Sequence, residues 1–104
     1  MAEIRWTLTA AEDLRLLEDW IARDSVLNAV EFTDRLVGAV DKLEQSALIG
    51  RVVPEFAEDR LREIIFRGYR IVYATDRATV TVLRVLHGAL DLRRLAARVP
   101  WSFE

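Results

Sequence analysis

The chain has no cysteine and a single histidine, His87, among its 104 residues. The first absence excludes disulfides, a thiol nucleophile and thiolate metal ligands; the second excludes a multi-histidine metal centre. No metal or cofactor is therefore expected. Lysine is almost missing as well: Lys42 stands alone beside 14 arginines, so any anion recognition would rely on planar, bidentate guanidinium donors. There is no uninterrupted apolar run near the ~20 residues of a membrane span. The opening residues Met1-Ala2-Glu3-Ile4-Arg5-Trp6 carry no apolar signal core, so the expectation is a cytoplasmic protein with no membrane partner.

What is present is apolar surface and an uneven charge. Hydrophobic residues make up 52% of the chain, enough for a core and for an apolar face kept for a partner. The length fits one domain over residues 1–104. Residues 1–59 hold six basic and 13 acidic side chains, a balance of −7, whereas residues 60–104 hold nine basic and four acidic, a balance of +5. Either the second half presents a surface for an anionic partner or the halves neutralise each other in the fold.

Periodicity predicts an α+β order β-α-α-β-β-β: an N-terminal strand, an antiparallel helical hairpin packed on a small antiparallel sheet, and a short C-terminal helix or tail. Residues 3–7 read as the first strand, and Thr9-Ala10-Ala11-Glu12 as a capping box that opens a helix. Ala10, Leu14, Leu17 and Ile21 recur at helical spacing, with Leu16 and Trp20 widening the stripe until Arg23-Asp24. Asp24 or Ser25 then caps a second helix with Ala29, Phe32, Leu36, Val40 and Leu43 on one face. The short break between the two stripes implies the hairpin. The long connection from Ala47 to Asp59 is expected to be a functional or partner-ordered loop, with simple mobility as the other reading.

From Arg60 to Gly88 three strands are written in succession, the last two joined by the polar turn around Asp76-Arg77. Strand alternation puts Arg62, Ile64 and Phe66 on one face, Leu61, Glu63, Ile65 and Arg67 on the other, and Arg70 with Val72 and Ala74. Glu63 is expected to pair with Arg70, Arg84 or Arg62 in a structural salt bridge. Residues Ala89 to Val99 suit a short helix exposing Arg93, Arg94 and Arg98; Trp101 and Phe103 are expected to dock on the chain's own sheet, with a partner surface as the alternative.

Trp6 ahead of a helical hairpin, the Gly50-Arg51 turn, Arg62-Glu63, the run Tyr69-Arg70-Ile71-Val72-Tyr73 and the closing Val85-Leu86-His87-Gly88 together resemble the RelE/ParE superfamily of toxins from two-component toxin-antitoxin systems, nearer the ParE branch. The resemblance implies a toxin that inhibits DNA gyrase by contact. It also implies a cognate ParD-like antitoxin, through which any contact with operator DNA would be indirect. Leu16, Trp20, Phe32 and Val37 are the antitoxin-binding candidates, and Arg62, Arg70, Arg93, Arg94 and Arg98 the target-binding candidates.

A RelE-like, ribosome-dependent messenger RNA endoribonuclease is the alternative. Arg70 and Arg84 would then clamp the phosphate and His87 would act as acid or base. Against that pattern, the basic pair expected after the strand-end glycine is Ala89-Leu90. The lysines of the preceding strand are replaced by Leu61 and Glu63, and a late tyrosine is absent. The third reading is a non-toxic module kept for binding an antitoxin.

Overall fold

A computed structural model describes residues 1–88 of the chain. The expected C-terminal helix or tail, with Arg93, Arg94, Arg98, Trp101 and Phe103, lies outside the described residues. The elements run β1 (Glu3–Trp6), α1 (Leu8–Ala22), α2 (Val26–Asp41), a short 3-10 turn (Lys42–Glu44), β2 (Arg51–Val52), β3 (Leu61–Phe66), β4 (Tyr69–Thr75) and β5 (Thr79–His87). The strands form one five-stranded sheet in the order β1-β5-β4-β3-β2. All neighbours are antiparallel except β1 and β5, so the sheet is mixed.

Helix α1 starts two residues before the capping box read from the sequence. Thr7, not Thr9, is the N-cap: its Oγ1 accepts the Ala10 N–H at 3.0 Å and donates to the Leu83 carbonyl at 3.2 Å. The reason is tertiary. The Thr7 N–H bonds the Val82 carbonyl, which prolongs the β1–β5 pairing and leaves Thr7 extended at the point where the helix begins. Helix α2 is capped by Ser25, whose Oγ accepts the Asn28 N–H at 3.2 Å.

Both helices lie on one face of the sheet. There Ala10, Leu17, Leu36, Val40 and Leu43 meet Ile71, Tyr73, Val80, Val82 and Val85. The opposite face is also covered: Val53 and Phe56, from the connection before β3, pack on Leu61, Val72, Leu83 and Leu86. The long connection therefore supplies a two-residue edge strand and the lid of a second apolar cluster.

Strict alternation would place Val82 and Val85 on opposite faces. A bulge prevents this: Val72 faces Arg84 while Tyr73 faces Val82, so Leu83 is an extra residue and the pattern is reset. Asp13 of α1 accepts the Val85 N–H at 3.0 Å and also binds Arg84 through two contacts of 2.8 and 3.1 Å. One carboxylate thus satisfies the interrupted ladder and fixes the helix to the sheet.

Tyr73 fastens the start of the long connection. Its fully buried ring carries a hydroxyl that donates to the Ala47 carbonyl at 2.8 Å and accepts the Gly50 N–H at 3.0 Å. Gly50 is needed for this approach, since a Cβ there would lie 2.5 Å from Tyr73 Oη and 2.6 Å from the Glu63 carbonyl oxygen.

Candidate interaction surfaces and the buried ion cluster

Register brings the charges of the second sheet face together. Arg51 stands opposite Glu63 across β2 and β3, and Ile65 opposite Arg70 across β3 and β4, which makes Glu63 and Arg70 diagonal neighbours on one face. Arg70 Nε and Nη2 both lie 2.6 Å from Glu63 Oε1, while Nη1 and Nη2 reach the Glu55 carboxylate at 2.6 and 2.8 Å. Arg51 Nε completes the set on Glu63 Oε2 at 2.6 Å. The Glu63 side chain is 0% exposed and that of Arg70 8%. The Glu55 hydrogen bonds, with those of Glu63, hold the Arg70 pKa above its ordinary value although burial opposes this. Every guanidinium nitrogen of Arg70 is engaged.

Two of the target-binding candidates are engaged within the fold. Arg70 is bound to Glu63 and Glu55. Arg62 donates to the Asp59, Leu48 and Gly50 carbonyls at 3.0–3.1 Å and pairs with Asp59 at 2.8 Å. It clasps the connection from both ends. Glu63 pairs with Arg70 and Arg51, not with Arg62 or Arg84.

The residues of the ribonuclease alternative are dispersed. His87 stands opposite Tyr69, and Arg70 opposite Leu86. Successive side chains leave a strand on opposite sides, so His87 shares the helix-covered face with Tyr69, whose ring is 5.7 Å from the imidazole. Arg70 lies on the other face beside Leu86. Arg84 is bound to Asp13 of α1. No substrate phosphate in one position meets all three side chains as they stand.

The charge asymmetry is largely resolved inside the fold. Among the described residues, Arg60, Arg62, Arg70 and Arg84 of the basic half pair with Glu58, Asp59, Glu55 and Asp13 of the acidic half. Arg67 and Arg77 have no such carboxylate. The apolar surplus, in contrast, does reach the surface. Of the four antitoxin candidates, Leu16 and Trp20 are 54% and 63% exposed. Phe32 is half-buried, edge-on to Phe66 and Tyr69 at 5.4 and 5.8 Å, and Val37 is half-buried in the groove between the helices.

Sequence reasoning missed Asp13, Glu55 and Arg51 as ion partners, and no local signal marks them. It also missed the tight turn at Arg67-Gly68, for which a signal exists: an X-Gly pair between two strands is the mark of a tight hairpin turn. Among the described residues no group of three acidic or histidine side chains is placed to hold a metal ion, and no helix is long and apolar enough to cross a membrane.

The fold, a helical hairpin on a five-stranded mixed sheet, is one found in a toxin-antitoxin system. A solved structure described as the chromosomal ParDE TA system from P. aeruginosa matches it with a TM-score of 0.68 over 84% of this chain and 96% of that one, at 21% identity. The family follows from sequence: the model for the ParE toxin of the type II toxin-antitoxin system, parDE, matches residues 4–92, and the chain belongs to that family. Toxin RelE2 of Caulobacter vibrioides is 33% identical over 90 residues, which cover 86% of this chain and 98% of that protein.

Proposed function

We propose that this chain, as one domain over residues 1–104, inhibits DNA gyrase by contact in the cytoplasm and is neutralised by a cognate ParD-like antitoxin. The observation that carries the reading is the dispersal of Arg70, Arg84 and His87: two are committed to internal carboxylates and the third lies on the other side of the sheet from Arg70. Contact inhibition needs no assembled acid, base and phosphate clamp. Leu16 and Trp20 supply the exposed apolar anchors for the antitoxin. Operator DNA is reached through that antitoxin. The candidate target contacts Arg93, Arg94 and Arg98 follow Gly88 in the sequence.

One observation favours the ribonuclease reading, namely the relative called Toxin RelE2. On that reading a substrate phosphate would first displace Glu55 from Arg70, and His87 would act from the other face. The two readings part in a paired assay: purified chain is added to a gyrase supercoiling and DNA-cleavage reaction and, separately, to a translation reaction. Lost supercoiling or trapped cleaved DNA with translation intact supports the proposal. Arrested translation with gyrase unaffected overturns it.

A further inference from the structure

Eleven of the 14 arginines are described, and eight of these are bound to carboxylates; the exceptions are Arg23, Arg67 and Arg77. Two of the exceptions are held by aromatic rings. The Arg23 guanidinium carbon lies 4.9 Å from the centre of the Trp20 ring, and that of Arg67 lies 5.3 Å from Phe66 and 5.8 Å from Phe32. Stacking covers the face of a guanidinium and leaves its in-plane N–H donors unspent.

The two stacked arginines are at the same end of the molecule. Arg67 and Gly68 form the β3–β4 turn, and the Arg67 rings include Phe32 of α2. Phe32 is six residues into α2, about 9 Å along the axis from its start, and Arg23 closes α1 just before that start. Arg77 is in the turn at the other end of β4.

Arg67 is also held at a backbone cost. Its φ is +47° and that of Gly68 is +86°, the left-handed pair of a tight hairpin turn, in which the Cβ of a residue other than Asn or Asp is disfavoured at the first position. The Gly88 N–H pins the turn by donating to the Gly68 carbonyl at 2.8 Å. The guanidinium is thus fixed against α2, exposed and, among the described residues, without a carboxylate acceptor.

We propose that this end of the molecule is a docking surface for an acidic amphipathic peptide segment, with Arg23 and Arg67 each receiving a carboxylate and Trp20 an apolar side chain. The proposal deepens the reading of Trp20 as part of the antitoxin surface and rests on it. One feature favours peptide over nucleic acid: Trp20 is 63% and Leu27 83% exposed, an apolar content that suits protein anchors.

The test uses the full chain and a fluorescein-labelled dodecapeptide of Glu, Asp, Leu and Trp. Its controls are the same peptide with Gln and Asn in place of the acids and a labelled oligothymidylate of equal length. In anisotropy titrations the acidic peptide should bind, Arg23→Gln and Arg67→Gln should each weaken it roughly tenfold, and Arg77→Gln should leave it unchanged. Arg67→Gly separates recognition from folding, because glycine adopts the turn freely: affinity should fall while the thermal midpoint holds or rises. Equal binding of the neutral peptide, preference for the oligothymidylate, no binding at all, or indifference to both Arg67 variants would overturn the proposal. Gyrase takes no part in the assay, so the docking surface can fail while contact inhibition stands, and the reverse.

Discussion

Replacing Arg70 with methionine should unfold this protein more readily than any loss of a surface charge, and the size follows from what remains behind. Glu63 keeps Arg51 on Oε2, but Oε1 loses both of its donors while the side chain stays 0% exposed. Breaking one partner of a buried pair costs about 3–5 kcal/mol, a large share of the ~5–15 kcal/mol that holds a small domain together. With a urea m-value of about 2 kcal/mol/M, the midpoint should fall by roughly 2 M. The double variant Glu63→Leu/Arg70→Met removes both ions beside the apolar cluster of Val72 and Leu86. It should return to within ~1 kcal/mol of the parent, since Arg51, 62% exposed, and Glu55, 19% exposed, keep access to water.

The assay is urea unfolding at pH 7 followed by both tryptophan fluorescence and circular dichroism, whose coincidence checks two-state behaviour. A single variant that costs less than ~1 kcal/mol, or a double variant as unstable as the single, would refute the account of a stranded charge. The result bears on function too. Loss of toxicity in Arg70→Ala would be ambiguous between catalysis and folding, whereas a stable, toxic Glu63→Leu/Arg70→Met chain would remove Arg70 from the chemistry.

The helix cap gives a paired test: Thr7→Ala should cost about 1 kcal/mol, while Thr9→Ala, which would matter most if the helix began at the capping box, should change stability little. Tyr73→Phe should cost about 1–3 kcal/mol by leaving the buried Gly50 N–H without its acceptor, and Gly50→Ala about as much or more, because a Cβ cannot clear the Glu63 carbonyl; both are read by thermal or urea unfolding. Asp76 accepts the Thr79 and Ala78 N–H groups and the Thr79 hydroxyl, which holds its carboxyl below the ordinary value of 3.8. A depressed folded pKa stabilises above the unfolded value and loses that contribution as pH falls through the folded one. Asp76→Asn should therefore remove a part of the stability loss seen from about pH 4 downward, and a carboxyl titration by NMR should place Asp76 below a free aspartate.

The sequence by itself determined the elements with a strong local signal. The two apolar stripes made the helical hairpin, Ser25 opened its second helix, and the apolar runs before and after the Asp76 turn made β4 and β5, because each depends on residues a few positions apart. Leu16 and Trp20, read as widening a stripe beyond what one core seam needs, are indeed the part left outside. Pairings between distant segments were decided by tertiary structure. Thr7 became the cap only because β5 offered the carbonyls of Val82 and Leu83. The bulge at Leu83 is stable only with Asp13 of α1 to satisfy Val85. The parallel β1–β5 pair and the two-residue β2 likewise need partners far along the chain. Most consequential is the fate of the arginines: composition shows 14 of them and a basic second half, but whether a guanidinium meets a carboxylate or solvent depends on strand register and on where the connection before β3 lies. That is why Arg62 and Arg70, prominent in the sequence, are consumed by the fold, while Arg67, held in a strained turn on two aromatic rings, is one that the fold leaves available.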